Sequence, residues 1–201
     1  MIIRPEEPKD RRAVEELTRE AFWNVYRPGC TEHYILNRFR SDPDFIPELN
    51  LVMEESGRII GHVMYAKAEI VRADGSTIPA ATFGPVSIHP DFQRRGYGLK
   101  LLQYSLEKAR ETGIGVICIE GNPDFYRHAG FIPASSLKLR CEGEEAESPY
   151  FLAQELIPGY LGGLGGCYVT PSGYFVADEA VEAFDALFPK KDKLVLPGQL
   201  F

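Results

Sequence analysis

The stretch "HPDFQRRGYGLKLLQYSLEKA", residues 89–109, decides how the rest of the chain is read. An apolar run, "TFGPVSIHP", ends at its start. From residue 97 onward Leu99, Leu101, Leu102, Leu106 and Ala109 gather largely on one side of a helix that runs to residue 111. Between strand and helix stand Arg94, Arg95, Gly96 and Gly98. A glycine-rich turn entering a helix exposes successive backbone N–H groups at the positive end of the helix dipole. Without a Cβ, the glycines let an anion come within hydrogen-bond range of the backbone, and the arginines add charge-assisted donors. The plain alternative is a tight turn with no ligand. The spacing is neither GxGxxG nor GxxxxGK[ST], so neither a dinucleotide fold nor a nucleotide phosphate loop is indicated.

Upstream, "MIIRPE" reads as a first strand. "PKDRRAVEELTREAF" places Ala13, Val14, Leu17, Ala21 and Phe22 at helical spacing, with Pro8 and Asp10 as start signals. "WNVYRPGC" breaks that pattern at Pro28 and Gly29, and "TEHYILNRFRS" is a second helix capped by Thr31. Residues 50–90 read as a strand, a turn at Ser56 and Gly57, a long strand, a hairpin turn at Asp74 and Gly75, and a further strand.

Downstream, "TGIGVICIEG" ends the helix at glycine and starts a short apolar strand, the kind found inside a sheet. "NPDFYRHAG" holds a short helix with Pro123 in its first turn and Gly130 as its C-cap. "FIPASSLKL" leads into a strand, "EGEEAES" is an acidic loop, and "YFLAQEL" is a strand. "IPGYLGGLGGCYV" is a loop running into a strand, "DEAVEAFDALF" an amphipathic helix, and "PKKDKLVLPGQLF" a tail. Neither an internal repeat nor a long linker divides the chain, so residues 1–201 are expected to form one domain of mixed α/β (α+β) architecture.

The 201 residues carry a formal net charge of −7. An acidic chain without clustered Lys and Arg is a poor binder of nucleic acid or anionic membrane. No apolar run approaches the ~20 residues of a membrane span, and from the early charges no secretory signal is expected. The four cysteines, Cys30, Cys118, Cys141 and Cys167, form no CxxC pair and match no zinc spacing. The expectation is a cytoplasmic protein with reduced thiols and no metal, a disulfide between two cysteines remaining open.

Gln93, Arg94, Arg95, Gly96, Tyr97 and Gly98 fit, position by position, the [QR]-x-x-G-x-[GA] motif of the GCN5-related N-acetyltransferases (GNAT), which the chain resembles. The preceding strand "GPVSIHP" looks like that superfamily's fourth strand, and "EGNPDFYRHAGF" is similar to its next motif. The likeness covers residues 1 to about 135 and is nearest to an uncharacterised bacterial group of acetyltransferases. It implies a mostly antiparallel central sheet with one splayed strand pair, flanked by helices. Residues from about 136 to 201 would complete the sheet and add a helix, cover an acceptor site, or form the interface of a homodimer.

The resemblance also implies a cosubstrate, acetyl-CoA, and direct transfer of its acetyl group to a small-molecule or peptide amine. Backbone groups of Arg94, Arg95, Gly96, Tyr97, Gly98 and Leu99 would hold the pyrophosphate. Val86, Ser87 and Ile88 would pair with the pantetheine arm, and an N–H at Val86 or Ser87 would polarise the thioester carbonyl. Tyr126 matches the family's proton donor to the departing thiolate; the alternative is an aromatic packed on the sheet. Glu120, at the end of the apolar strand, is either the general base or a solvent-facing strand end. Trp23, Tyr26, Glu32 and His33 fall where the family builds its acceptor site and could cage a cation, or the aromatics simply close the core under the helices. Cys30 lies among them, but direct transfer needs no covalent nucleophile. His62 reads as sheet packing, and His89 as a turn residue or a border of the cofactor. Asn122 lies only four residues before Tyr126 with Pro123 between, which departs from the family pattern. A fold that binds CoA as a sensor without transfer is the competing reading.

Overall fold

A computed structural model describes residues 1–143 and 147–199. Residues 144–146, inside the acidic loop read at 142–148, and residues 200–201, the end of the tail, lie outside the described residues.

In chain order the elements are β1 (Ile2–Pro5), α1 (Arg11–Phe22), α2 (Glu32–Phe39), β2 (Leu51–Glu55), β3 (Arg58–Val71) and β4 (Thr77–Ile88). Then come α3 (Tyr97–Glu111), β5 (Val116–Glu120), α4 (Pro123–Tyr126), β6 (Ile132–Pro133), β7 (Leu139–Cys141), β8 (Phe151–Glu155), β9 (Gly166–Val169) and α5 (Asp178–Asp185). One sheet runs β1-β2-β3-β4-β5-β8-β6, with β9 paired to the far end of β3 and to β7. Among the described residues only β4–β5 and β7–β9 are parallel. This is the mostly antiparallel, helix-flanked sheet expected above.

Strand alternation divides the core between two faces. Val63 and Tyr65 of β3 pack with Phe83, Ile117 and the α3 residues Leu101, Leu102 and Leu106. Met64 and Ala66 pack the opposite way, with Val14 of α1 and Leu36 and Phe39 of α2. The apolar stripe of α3 read from the sequence is therefore what seats that helix on the sheet.

The α1–α2 face also buries charge. Arg40 lies between Glu6 and Glu15, 2.5 Å from each. Asn50 bonds Glu6 and accepts from His62 at 2.6 Å. Burial holds His62 down to about 3, with Arg40 adding to the effect, so the ring is neutral. Asp10 closes the short turn Pro8–Asp10 that leads into α1, accepting from the Glu7 N–H at 2.8 Å while Arg4 holds its carboxylate.

Thr31 does not cap α2 through its hydroxyl. Its backbone is helical, with φ −106° and ψ −29°, rather than in the extended form that aims a capping hydroxyl at the next amides. The Glu32 carboxylate instead accepts from the Thr31 N–H at 2.9 Å.

The C-terminal residues lie across α1 and α2. Arg19 of α1 reaches Asp185 of α5 at 2.6 and 3.2 Å. Trp23 Nε1 donates to the Asp192 carbonyl at 3.0 Å. No helix among the described residues is long and apolar enough to cross a membrane.

Candidate functional site

β4 and β5 share a single register pair, Ala81 with Ile117. Beyond it β4 continues to Ile88 and β5 to Glu120 without pairing to each other. The two strands thus part towards their C-terminal ends and leave an open edge on β4. A bulge marks the divergence: Val86 pairs with Val63 and Phe83 with Tyr65, so Gly84 and Pro85 together oppose Met64.

The hydrogen-bond phase of β4 tells which groups face the opening. His89 N–H donates to the Ile60 carbonyl at 2.9 Å. Main-chain groups alternate in an antiparallel pair, so those of Ser87 also point to β3. Those of Val86 and Ile88 point to the open side. The Ser87 hydroxyl is fully buried and donates to Thr18 of α1 at 3.0 Å.

The open edge leads to the turn that begins α3. Gln93 Nε2 donates to the Ile88 carbonyl at 2.9 Å and ties the turn to the strand. Arg94 and Gly96 both have positive φ, 58° and 81°. A Cβ at Gly96 would meet no atom within 4 Å, so the surface there is open for a ligand to approach the backbone. The amides of Tyr97, Gly98 and Leu99 belong to the first helical turn, which has no earlier helical carbonyl to bond. Arg94 and Arg95 are exposed beside them. This cradle of main-chain donors, two guanidiniums and a positive helix end fits a di-anion such as a pyrophosphate. Tyr97 turns its hydroxyl to Glu55 at 3.1 Å.

Tyr126 stands over the end of β5. A Cβ on Gly121 would meet its ring at 2.2 Å, so only glycine at 121 admits the ring there. Phe83 and Phe131 pack on it, with centroids 5.9 and 5.8 Å away. Burial pushes its phenol well above the usual tyrosine value, and Tyr26 adds to the push. The hydroxyl therefore keeps its proton through the neutral range. Asn122 caps this short helix by accepting from Asp124 N–H at 2.9 Å.

Glu120 is exposed on the other face of β5. Ile117 and Ile119 belong to the α3 side of the sheet, whereas Val116 and Cys118 pack with β7 and β9. Glu120 follows the second set and lies 3.9 Å from Cys141 Sγ. Tyr126 and Glu120 thus lie on opposite faces at the end of β5.

The four residues read between the first two helices, of which Glu32 and His33 open α2, do not share one surroundings. Tyr26 is half exposed. Glu32 accepts from Cys30 Sγ at 3.3 Å as well as from the Thr31 amide. Burial pushes the Cys30 thiol up, so it stays protonated. Trp23 and His33 face the C-terminal segment instead. Arg19 stacks on Trp23 at 4.1 Å. His33 is fully buried against Phe184 and Phe188, and burial lowers it to about 4. Its Nε2 is 3.2 Å from Asp185, but the angle makes no hydrogen bond.

A groove of about 1100 Å³ opens beside α1, lined by Arg4, Asp10, Leu17, Arg58, His89 and Lys191 among others. Neither Tyr126 nor Glu120 lines it. Its charges largely satisfy one another, Arg4 with Asp10 and Glu54, Lys191 with Glu20. Among the described residues no cluster of three His, Cys, Asp or Glu side chains could hold a metal.

The family model for an acetyltransferase (GNAT) domain matches residues 2–134. An uncharacterized N-acetyltransferase of Escherichia coli, YjhQ, is 24% identical over 110 residues, 54% of this chain and 56% of that protein. The chain thus spans about half the length of this curated relative. An uncharacterized N-acetyltransferase of Gracilaria tenuistipitata, ycf52, is 39% identical over 64 residues, 30% of this chain and 35% of that protein. Among solved structures, the GNAT protein YhbS of Escherichia coli in complex with CoA superposes with a TM-score of 0.74 at 23% identity. That match covers 86% of this chain and 91% of the other. A GNAT acetyltransferase of Brucella melitensis in complex with acetyl-CoA superposes with a TM-score of 0.67 at 24% identity, covering 87% and 97%. At these identities the superpositions speak for the fold.

Proposed function

The chain belongs to the GNAT acetyltransferase family, and we propose that it moves an acetyl group from acetyl-CoA directly to a primary amine. The observation that carries this reading is the parting of β4 and β5 after their one shared pair, with the open β4 edge leading straight to the amide cradle of α3. A thioester needs such an edge for its amide-bearing arm and such a cradle for its phosphates. The relatives crystallised with CoA and acetyl-CoA support the same ligand.

In this reading the amides of Arg94, Arg95, Gly96, Tyr97, Gly98 and Leu99 hold the pyrophosphate. The open-side groups of Val86 and Ile88 pair with the pantetheine arm, while Ser87 anchors the strand to β3 and α1. The Val86 N–H, which points to the gap, polarises the thioester carbonyl as the amine attacks. Tyr126, held protonated, gives its proton to the departing thiolate. Glu120, on the other face at the end of β5, takes the proton of the incoming ammonium directly or through one water. An acid and a base on opposite faces of the strand end suit direct transfer, since amine and thiolate then need not exchange places. Tyr26 and Glu32 border the acceptor, and a carboxylate beside aromatic carbon favours a cationic amine.

The test is release of free thiol from acetyl-CoA against a panel of amines, with calorimetric binding of CoA alongside. Acceptor-dependent release supports the transferase. CoA binding without release for any amine favours the sensor, and absence of CoA binding removes the reading.

A further inference from the structure

The β4 bulge leaves Gly84 without a register partner on β3. A carbonyl at such a position needs a donor. The donor is a residue 90 positions later: Tyr174 Oη donates to the Gly84 carbonyl at 2.9 Å. Tyr174 ends the short turn Ser172–Tyr174 after β9, in the region whose role the sequence leaves open. Its ring lies 4.7 Å from that of Phe39 in α2. Gly173 sits so close to Phe39 that a Cβ would meet the ring at 2.5 Å, which pins the turn. The phenol is thus held from behind while its hydroxyl is presented to the bulge.

Two residues beyond Gly84, Val86 turns its N–H to the open side of β4. The direction of that N–H depends on how the bulge is set, because the bulge shifts the hydrogen-bond phase of everything after it. We propose that Tyr174 is a positioning residue: its hydroxyl fixes the Gly84 carbonyl and so aims the Val86 N–H at the acyl carbonyl. The proposal rests on the acetyl-transfer reading and assigns to the C-terminal segment a part in the chemistry of the β4 edge. Tyr174 itself touches no reacting atom. It acts through the strand.

Tyr174→Phe removes one oxygen and keeps the ring. Two readings are taken on it. The first is steady-state transfer with calorimetric CoA affinity. A misaimed carbonyl donor lowers kcat by about 10- to 100-fold, with CoA affinity within about twofold of the native protein because the α3 cradle is untouched. The second is amide exchange at Ser87 and His89, whose N–H groups bond β3 beside the bulge. Exchange there rises, while exchange in α3 stays as it was. Native kcat in the variant overturns the proposal. So does a parallel loss of kcat, CoA affinity and melting temperature, which marks a merely structural contact. If the native protein transfers to no amine, the acetyl-transfer reading fails, and the exchange arm still decides whether Tyr174 sets the strand: unchanged exchange overturns it. Should Tyr174→Phe fail to fold, Tyr174→His takes its place, with the donor set back from Gly84 and the same pattern expected.

Discussion

At the entrance to α3 the groups proposed to bind ligand are main-chain amides; where the C-terminal segment crosses α1 and α2 the bonds are made by side chains from distant parts of the chain. The first region is local. Residues 88–99 supply the edge, the turn and the helix end, and Gln93 joins them by one bond to Ile88. The second region is assembled from far apart. Asn24 shows its character: its side chain bonds Gly29, Asp192 and Leu194, and its carbonyl accepts from Gln199. A backbone-built site has to be written in glycines and turns, so it leaves a local pattern. A seam of side chains leaves none, because each partner alone is an ordinary surface residue.

If this division is right, changes in the seam alter stability and acceptor handling, and changes at the β4–β5 opening alter chemistry. The largest effect is expected at Asp185. Asp185→Ala leaves the buried Arg19 guanidinium without its carboxylate and costs about 3–5 kcal/mol in urea unfolding. CoA affinity of the folded fraction stays native. A cost below about 1 kcal/mol would mean that stacking of Arg19 on Trp23 and Phe188 carries the seam instead.

Tyr126→Phe tests the other region. It is expected to lower kcat by about 100-fold or more with CoA binding intact, measured by thiol release and calorimetry. Unchanged turnover would return Tyr126 to plain aromatic packing against Phe83 and Phe131.

The seam also has a pH signature. His33 sits at about 4 in the folded chain, against about 6.5 when unfolded. Above both values the ring is neutral in either state, and stability is at its full value. Between them the unfolded chain binds the proton and the folded one does not, so acid favours unfolding until the folded value is passed. The resulting loss between pH 6.5 and 4 is about 2–3 kcal/mol. His33→Phe should flatten that part of the urea-midpoint profile. An unaltered slope would place the acid sensitivity elsewhere, with buried His62 the next residue to replace.

The smallest effect is expected at Asn24. Its φ of 58° suits glycine, so Asn24→Gly keeps the backbone and removes only the side-chain bonds. About 1 kcal/mol of local stability should be lost, seen as faster amide exchange in residues 192–199. A KM change for the amine without one for acetyl-CoA would link the seam to Tyr26.

The same contrast explains what could be read in advance. Strand and helix order followed from periodicity, from the Asp74-Gly75 turn and from the stripe of Leu101, Leu102 and Leu106. The cradle of α3 was visible because Gly96 must adopt a conformation that other residues avoid. Gly121 had a signal of the same kind, a glycine directly after an apolar strand, yet its purpose becomes plain only when the Tyr126 ring lies on it. The family resemblance groups Trp23 and His33 with Tyr26 between the first two helices, and the fold turns them to Asp192 and Asp185 instead. Tyr174 carried no signal at all. Its contact with Gly84 spans 90 residues, and nothing in "PSGYF" distinguishes it from a surface turn.

The most direct test of the central claim is calorimetric titration of CoA into the native protein and into Gly96→Val. The account predicts saturable binding by the native chain and at least about tenfold weaker binding by the variant, since a β-branched residue resists positive φ and its Cβ intrudes on the open cradle. Equal affinity in the two proteins, or no binding by the native one, would contradict it.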